Sequence, residues 1–162
     1  MRWNDDDEDF DASDFDFDSP DEQAMEEIRR EDERIRNMPL MKKAIVILEI
    51  TEALVEILPD DDMSHHYQRI MIEDAMSLAP KIAGAEGADL YTLRMENAVA
   101  IKVAARNLIT QCSGLSMMGL CEDRYLQLLR DEVEEFRYLF VSWIRSFDKS
   151  RDIPDNWGLF ND

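Results

Sequence analysis

The chain has two histidines, and they are adjacent: His65 and His66 follow three aspartates, Asp60 to Asp62. Imidazole and carboxylate groups are common ligands of divalent metals. Neighbouring residues of a helix point about 100° apart, so these two rings do not chelate one ion together. A carboxylate-bridged di-iron bundle needs Glu-x-x-His on two helices, and the sequence has no such motif. We therefore expect a solvated helix start here, with no bound metal and no other cofactor.

Other reactive side chains also lack partners of the right kind. Cys112 and Cys121 have no histidine near them, and Cys112 falls on the apolar face of a predicted helix, where cysteine behaves as a small core residue. Glu134 and Glu135 stand beside Arg137, which favours surface ion pairs. The sequence contains no Gly-x-Ser-x-Gly, no P-loop and no Gly-x-Gly-x-x-Gly. We therefore expect no catalytic residue and a protein that is not an enzyme.

Charge is concentrated at one end of the chain. The 162 residues carry 37 acidic against 18 basic side chains, a formal net charge of -19. Residues 1–22 hold eleven of the acids and one base, which is -10 of that total. Such a segment repels itself and has little to bury, so we predict a disordered acidic tail. The rest of the chain is also acidic, so we do not expect it to bind nucleic acid or anionic lipid.

Aromatic residues are interspersed among the acids of this tail. Segments of this composition either keep a protein in solution or fold onto a basic, apolar groove of a partner. Both interpretations stay open, and the second implies a basic protein partner. The aromatic residues that would carry tail docking are Trp3, Phe10, Phe15 and Phe17.

The sequence gives no sign of a membrane or secretory segment. No window approaches the roughly eighteen uninterrupted apolar residues of a membrane-spanning helix. The N-terminal residues have no apolar run of the kind found in signal peptides. We expect a cytoplasmic protein without a membrane partner.

Apolar spacing along the remaining chain predicts helices throughout and no strands. Residues 23–38 form a polar helical lead-in, rich in Glu and Arg. Four longer helices are predicted over roughly 39–58, 64–83, 88–113 and 122–148. Pro80 should kink or end the second of them. Short connections favour antiparallel neighbours, so the predicted fold is all-α: an antiparallel up-down four-helix bundle over residues 39–148.

The last helix has the most regular pattern. Its apolar residues alternate in steps of three and four, as in an a/d seam: Leu126, Leu129, Val133, Phe136, Phe140, Trp143 and Phe147. Further apolar residues widen this face, so we predict that the helix is central to the bundle or is also covered by a second subunit. The extension 149–162 is too apolar for a free tail and should pack on the bundle or a neighbour. The candidate partner or oligomer surface is Tyr125, Phe136, Tyr138, Phe140, Trp143, Phe147, Trp157 and Phe160.

Residues 40–148 resemble the four-helix-bundle family first noticed in intervening sequences of bacterial 23S ribosomal RNA genes. The matching residues are those of a Pro-x-x-Ile-Ala-Glu-Gly pattern at the end of the second helix, with Gly84-Ala85 inserted: Pro80, Ile82, Ala83, Glu86 and Gly87. The resemblance implies an antiparallel bundle that often assembles as a ring of five. A relative, the accessory protein of diversity-generating retroelements, binds a reverse transcriptase and nucleic acid through a basic surface. This chain is acidic instead, so the resemblance carries over the fold and the tendency to oligomerise, and no functional residue.

The functional hypothesis is a non-enzymatic, bacterial helical-bundle protein that forms a homo-oligomer and acts as a protein-protein adaptor or scaffold. The alternative is an accessory factor of a nucleic-acid enzyme. In that case the acidic tail competes with the phosphate backbone for a basic surface.

Overall fold

The computed structural model describes residues 21–160, and within them the chain is all-α. It has five helices there and no strand: α1 (Glu22–Asn37), α2 (Pro39–Glu56), α3 (Asp62–Glu86), α4 (Tyr91–Met117) and α5 (Asp123–Ile144). The all-α prediction is therefore confirmed for this range. Most of the predicted tail lies outside the described residues. The same holds for the four aromatic residues predicted for tail docking, Trp3, Phe10, Phe15 and Phe17.

The chain divides into two compact units between Asp32 and Glu33, inside α1. The first half of α1 is held by its own ion pairs: the Glu26 carboxylate accepts from Arg29 at 2.7 Å and from Arg30 at 3.1 Å. Pairs at these spacings contribute only tenths of a kcal/mol, about 0.2–0.5 each. Of the sixteen residues of α1, none is buried. The predicted polar character of this helix is confirmed.

Helices α2 to α5 surround one apolar core, and each packs against two others in the order α2, α3, α4, α5 and back to α2. Contacts between neighbouring helices pair the start of one helix with the end of the other. Tyr67, early in α3, meets Gly114, late in α4, whereas Gly84, late in α3, meets Asn97, early in α4. Between α4 and α5 the corresponding end contact joins Ser116 to Asp123 at 2.7 Å. These two pairs of neighbouring helices are therefore antiparallel.

The predicted seam, which runs along α5 and ends at Phe147 just after the helix, supplies a large part of the core. All seven residues of the three-and-four pattern are buried, and Phe136, Leu126 and Leu129 are at most 1% exposed. Burying a side chain of this size contributes about 1.5–3 kcal/mol. Two buried hydroxyl groups of the core have partners: the Thr51 hydroxyl donates to the Ile47 carbonyl and the Thr92 hydroxyl to Asp152, each at 2.7 Å. The predicted apolar face of the last helix is confirmed.

Of the two predicted effects of Pro80, a kink or an end, the second is wrong, because Pro80 does not end α3. The helix continues for another six residues to Glu86. Proline removes the N–H that would bond to the carbonyl of Met76. Both residues are exposed, so the carbonyl that loses its partner lies on the solvent side of the helix. The exposed position explains why the proline is tolerated here.

Helix ends also differ from the prediction by several residues. The N-cap of α3 is Asp61, whose carboxylate accepts from the Ser64 amide at 2.8 Å, and Ser64 itself is buried. Helix α4 continues to Met117, beyond the predicted end near residue 113, and its Gly114 lies close to the Tyr67 ring. Helix α5 ends at Ile144 rather than near residue 148.

Candidate interaction surface

Four of the eight residues predicted for the partner surface lie in the core of the chain itself. Phe136, Phe140, Trp143 and Phe147 are each at most 9% exposed. Their rings contact one another in sequence, with centroid distances of 6.4, 5.8 and 4.7 Å. The partner-surface prediction needs correction for these four, because α2 and α4 already cover this face of α5. No second subunit is required to bury them.

Two tyrosines of the prediction do lie on the surface of α5. Tyr125 is 39% exposed and Tyr138 is 62% exposed. Each ring lies beneath a guanidinium group from the same helix: Arg124 at 4.7 Å and Arg137 at 4.6 Å from the ring centroid. Exposed cation–π pairs of this kind contribute about 0.5–1 kcal/mol.

Trp157 is the most exposed of the predicted residues. It is 84% exposed, and two further apolar side chains of the same segment are open to solvent, Ile153 at 63% and Leu159 at 58%. Phe160 is half-buried. We refer to residues 153–160 as the C-terminal arm. Sequence reasoning identified Trp157 and missed Ile153.

The base of the C-terminal arm is fixed to the first turn of α4. Asp152 accepts from the Thr92 backbone amide at 3.0 Å and from the Thr92 hydroxyl at 2.7 Å. These hydrogen bonds hold the pKa of Asp152 below its usual range. The residue preceding α4 is Leu90, which has no side chain able to cap the helix. Asp152 therefore acts as a cap from sixty residues further along the chain.

A cluster of charged and aromatic side chains meets at the end of α3. The Glu86 carboxylate accepts from Arg34 at 2.6 Å, from Arg94 at 2.8 Å and from the indole N–H of Trp143 at 2.7 Å. Its side chain is only 7% exposed. Burial alone raises the pKa of Glu86, but the hydrogen bonds from Arg34 and Trp143 and the charge of Arg94 outweigh it. The net pKa is below the usual range, so this carboxylate is a charged structural group.

Arg94 links this cluster to the aromatic core. Its guanidinium carbon lies 4.2 Å from the centroid of the Phe147 ring, while one of its Nη atoms donates to Glu86. The seam pattern of α5 predicted Phe147, but no sequence signal predicted the arginine above it. The signal available for Glu86 was its place in the Pro80–Gly87 pattern.

An apolar groove lies between α4 and α5, with a cavity volume of about 360 Å³. We call it the α4–α5 groove. Its buried members are Ala105, Val133, Phe136 and Phe140, and the partly exposed Ile109, Val141 and Ile144 complete its apolar lining.

The edge of the α4–α5 groove is largely cationic, with Lys102, Arg106 and Arg137 against a single carboxylate, Glu134. Arg137 is paired with Glu134 at 2.8 Å. Within residues 21–160, Lys102 and Arg106 form no ion pair. Sequence reasoning missed this groove, because it depends on which helices are neighbours.

The histidines and thiols occupy ordinary structural positions. His65 lies 2.9 Å from Asp60, and His66 lies 3.3 Å from a nitrogen of Arg69. Across residues 21–160, no three His, Cys, Asp or Glu side chains converge as a metal site would require. Both cysteines are free thiols, and burial raises the pKa of Cys112 to about 11.

The contacts described above join helices to one another and cap their ends.

Among the helices of residues 21–160, none is long and apolar enough to cross a bilayer. No protein-family model matches the chain, and a search of curated proteins gives no significant match.

Proposed function

We propose that this chain is a non-enzymatic helical-bundle protein that self-associates and serves as a protein-protein adaptor or scaffold. The observation that carries the proposal is the 84% exposure of Trp157, on an arm whose base is held by the Asp152–Thr92 hydrogen bonds. Tryptophan is among the residues that contribute most to protein interfaces. A fixed segment that presents an indole, an isoleucine and a leucine to solvent is typical of a surface that another protein covers.

We further propose that α2 to α5 form the antiparallel up-down four-helix bundle of the sequence prediction, with α1 as an additional helix. The cyclic order of helix contacts supports this assignment. The resemblance to the intervening-sequence family would account for both the bundle and self-association. In this chain two residues of the matching pattern have structural roles that suit a bundle, since Ile82 is fully buried and Glu86 joins α3 to α4 and α5.

The two free thiols suit a reducing, cytoplasmic location.

Light scattering coupled to size-exclusion chromatography tests self-association. The chain has a mass of 18.9 kDa, and we expect a whole-number multiple of that mass at concentrations on the order of 10 μM. The mass should fall on dilution if the association is reversible. A mass of 18.9 kDa across the whole concentration range would contradict the proposal.

The second candidate function is that of an accessory factor whose acidic segment occupies a basic surface of a nucleic-acid enzyme. The eleven acids of residues 1–22 favour it. Co-purification from the native host should recover a basic partner with the full chain and not with a chain that lacks residues 1–22. Capture should weaken steeply between low and physiological salt, because charge drives it. Equal capture by both chains would contradict this role.

A further inference from the structure

The α4–α5 groove and the C-terminal arm have complementary chemistry. The groove offers an apolar lining with Lys102 and Arg106 at its edge, and neither of these forms an ion pair within the described part of the chain. The arm offers exposed Ile153, Trp157 and Leu159. Residues 153–162 contain two aspartates and no basic residue. An acidic, aromatic segment is the kind of ligand that an apolar groove with a cationic edge would bind.

We propose that the C-terminal arm of one copy docks in the α4–α5 groove of a second copy. This inference rests on the proposed self-association and identifies the two surfaces that carry it. Because arm and groove are different surfaces, the contact is heterologous: each copy contributes an arm to one neighbour and a groove to another.

The energetics favour this occupant for two reasons. Moving the Trp157 indole and the Leu159 side chain from water into an apolar lining releases ordered water and supplies most of the driving force. The charges at the edge orient the docked arm, because the carboxylate of Asp155 is attracted to Lys102 and Arg106. The one carboxylate that lines the groove, Glu134, is already paired with Arg137. A groove of about 360 Å³ is within the usual range for a site that accepts a small group of side chains.

Two variants separate the arm from the groove. The arm variant is Trp157→Ala/Leu159→Ser and the groove variant is Lys102→Glu/Arg106→Glu. All four positions are exposed, so neither variant should disturb folding, and circular dichroism checks this. The matched control is Lys42→Glu/Lys81→Glu, which makes the same charge change at exposed lysines outside the groove.

Sedimentation analysis of these proteins gives the first result. We expect the arm and groove variants each to weaken self-association by about 30-fold or more, the effect of losing an interface hot spot. The control should associate like the parent chain. An oligomeric parent whose arm variant stays equally associated would overturn the docking proposal and leave self-association intact. A monomeric parent chain would instead overturn the proposed function together with it.

Mixing the two monomeric variants is the decisive experiment. The arm variant retains an intact groove and the groove variant retains an intact arm, so an equimolar mixture should form a heterodimer through one restored contact. A mixture that stays monomeric would show that arm and groove are not partners.

A fluorescent peptide of residues 151–162 provides an independent measurement. The peptide should bind the arm variant, whose groove is intact. It should bind at least 10-fold more weakly to a protein that combines the arm and groove substitutions. A peptide of residues 1–20 that binds the groove more tightly than the arm peptide would overturn the assignment in favour of the N-terminal segment.

Discussion

The indole N–H of Trp143 donates a hydrogen bond of 2.7 Å to the carboxylate of Glu86, joining α5 to the last turn of α3. The same oxygen of Glu86 accepts from Arg94 of α4 at 2.8 Å. One buried carboxylate therefore fixes the relative positions of three helices. A charge in this position is stable only while its donors remain, so Glu86 should be among the most sensitive residues of the chain.

Glu86→Gln should destabilise the fold by about 2–3 kcal/mol. The amide keeps the shape of the side chain but removes its charge, and its NH₂ group faces a donor where an acceptor is needed. Urea unfolding followed by circular dichroism measures the loss. The matched control is Glu134→Gln, at an exposed ion pair with Arg137, and it should leave stability nearly unchanged. Equal effects at both positions would contradict the role of Glu86.

The stabilising effect of Glu86 should depend on pH. Its folded-state pKa is lowered by its donors, so its contribution is fully present above the unfolded value of about 4.3 and is lost as the pH falls through the folded value. The difference in urea midpoint between the parent chain and Glu86→Gln should therefore be constant from pH 7 to 5 and shrink below pH 4. A difference that stays constant to pH 2 would refute this assignment.

Thr92→Val should destabilise the fold by about 1 kcal/mol, since it replaces a buried hydroxyl that donates to Asp152 with a methyl group of similar shape. Thr110→Val is the control, because its hydroxyl is exposed and bonds only to its own helix. The variant keeps only the backbone-amide bond to Asp152, so the arm should be held less firmly and trypsin should cleave after Arg151 several-fold faster. An unchanged cleavage rate in Thr92→Val would show that the hydroxyl bond does not hold the arm.

Gly114→Ala should be destabilising even though alanine favours helices. A Cβ at this position would lie 2.0 Å from the Tyr67 hydroxyl oxygen and 2.9 Å from the ring carbon that carries it. The ring must move, and we expect a net loss of about 1–2 kcal/mol after a propensity gain of up to about 1 kcal/mol. Gly87→Ala is the control, since an added Cβ there meets nothing closer than 3.6 Å and the backbone φ is -77°. Thermal unfolding of both variants gives the comparison, and a stabilised Gly114→Ala would contradict the tight α3–α4 contact.

The sequence by itself determined that the part of the chain described by the structure is helical, and which face of its last helix is apolar. The spacing of Leu126 through Phe147 predicted an apolar face, and all seven of its residues are buried. This succeeded because burial of a helix face follows from local periodicity, which the residues of one helix carry on their own. The same local reasoning left open whether Pro80 ends α3 or only kinks it, since the cost of a proline depends on whether the carbonyl it leaves unpaired reaches solvent.

Only the tertiary structure decided where the charged and exposed groups meet. Glu86 receives donors from Arg34 and Trp143, which are 52 and 57 residues away in the chain. Asp152 caps α4 through Thr92, sixty residues earlier in the chain, and the α4–α5 groove exists because two helices lie side by side. Hydrogen bonds and cavities depend on distances of a few ångströms between separate elements, and periodicity within one element does not contain those distances.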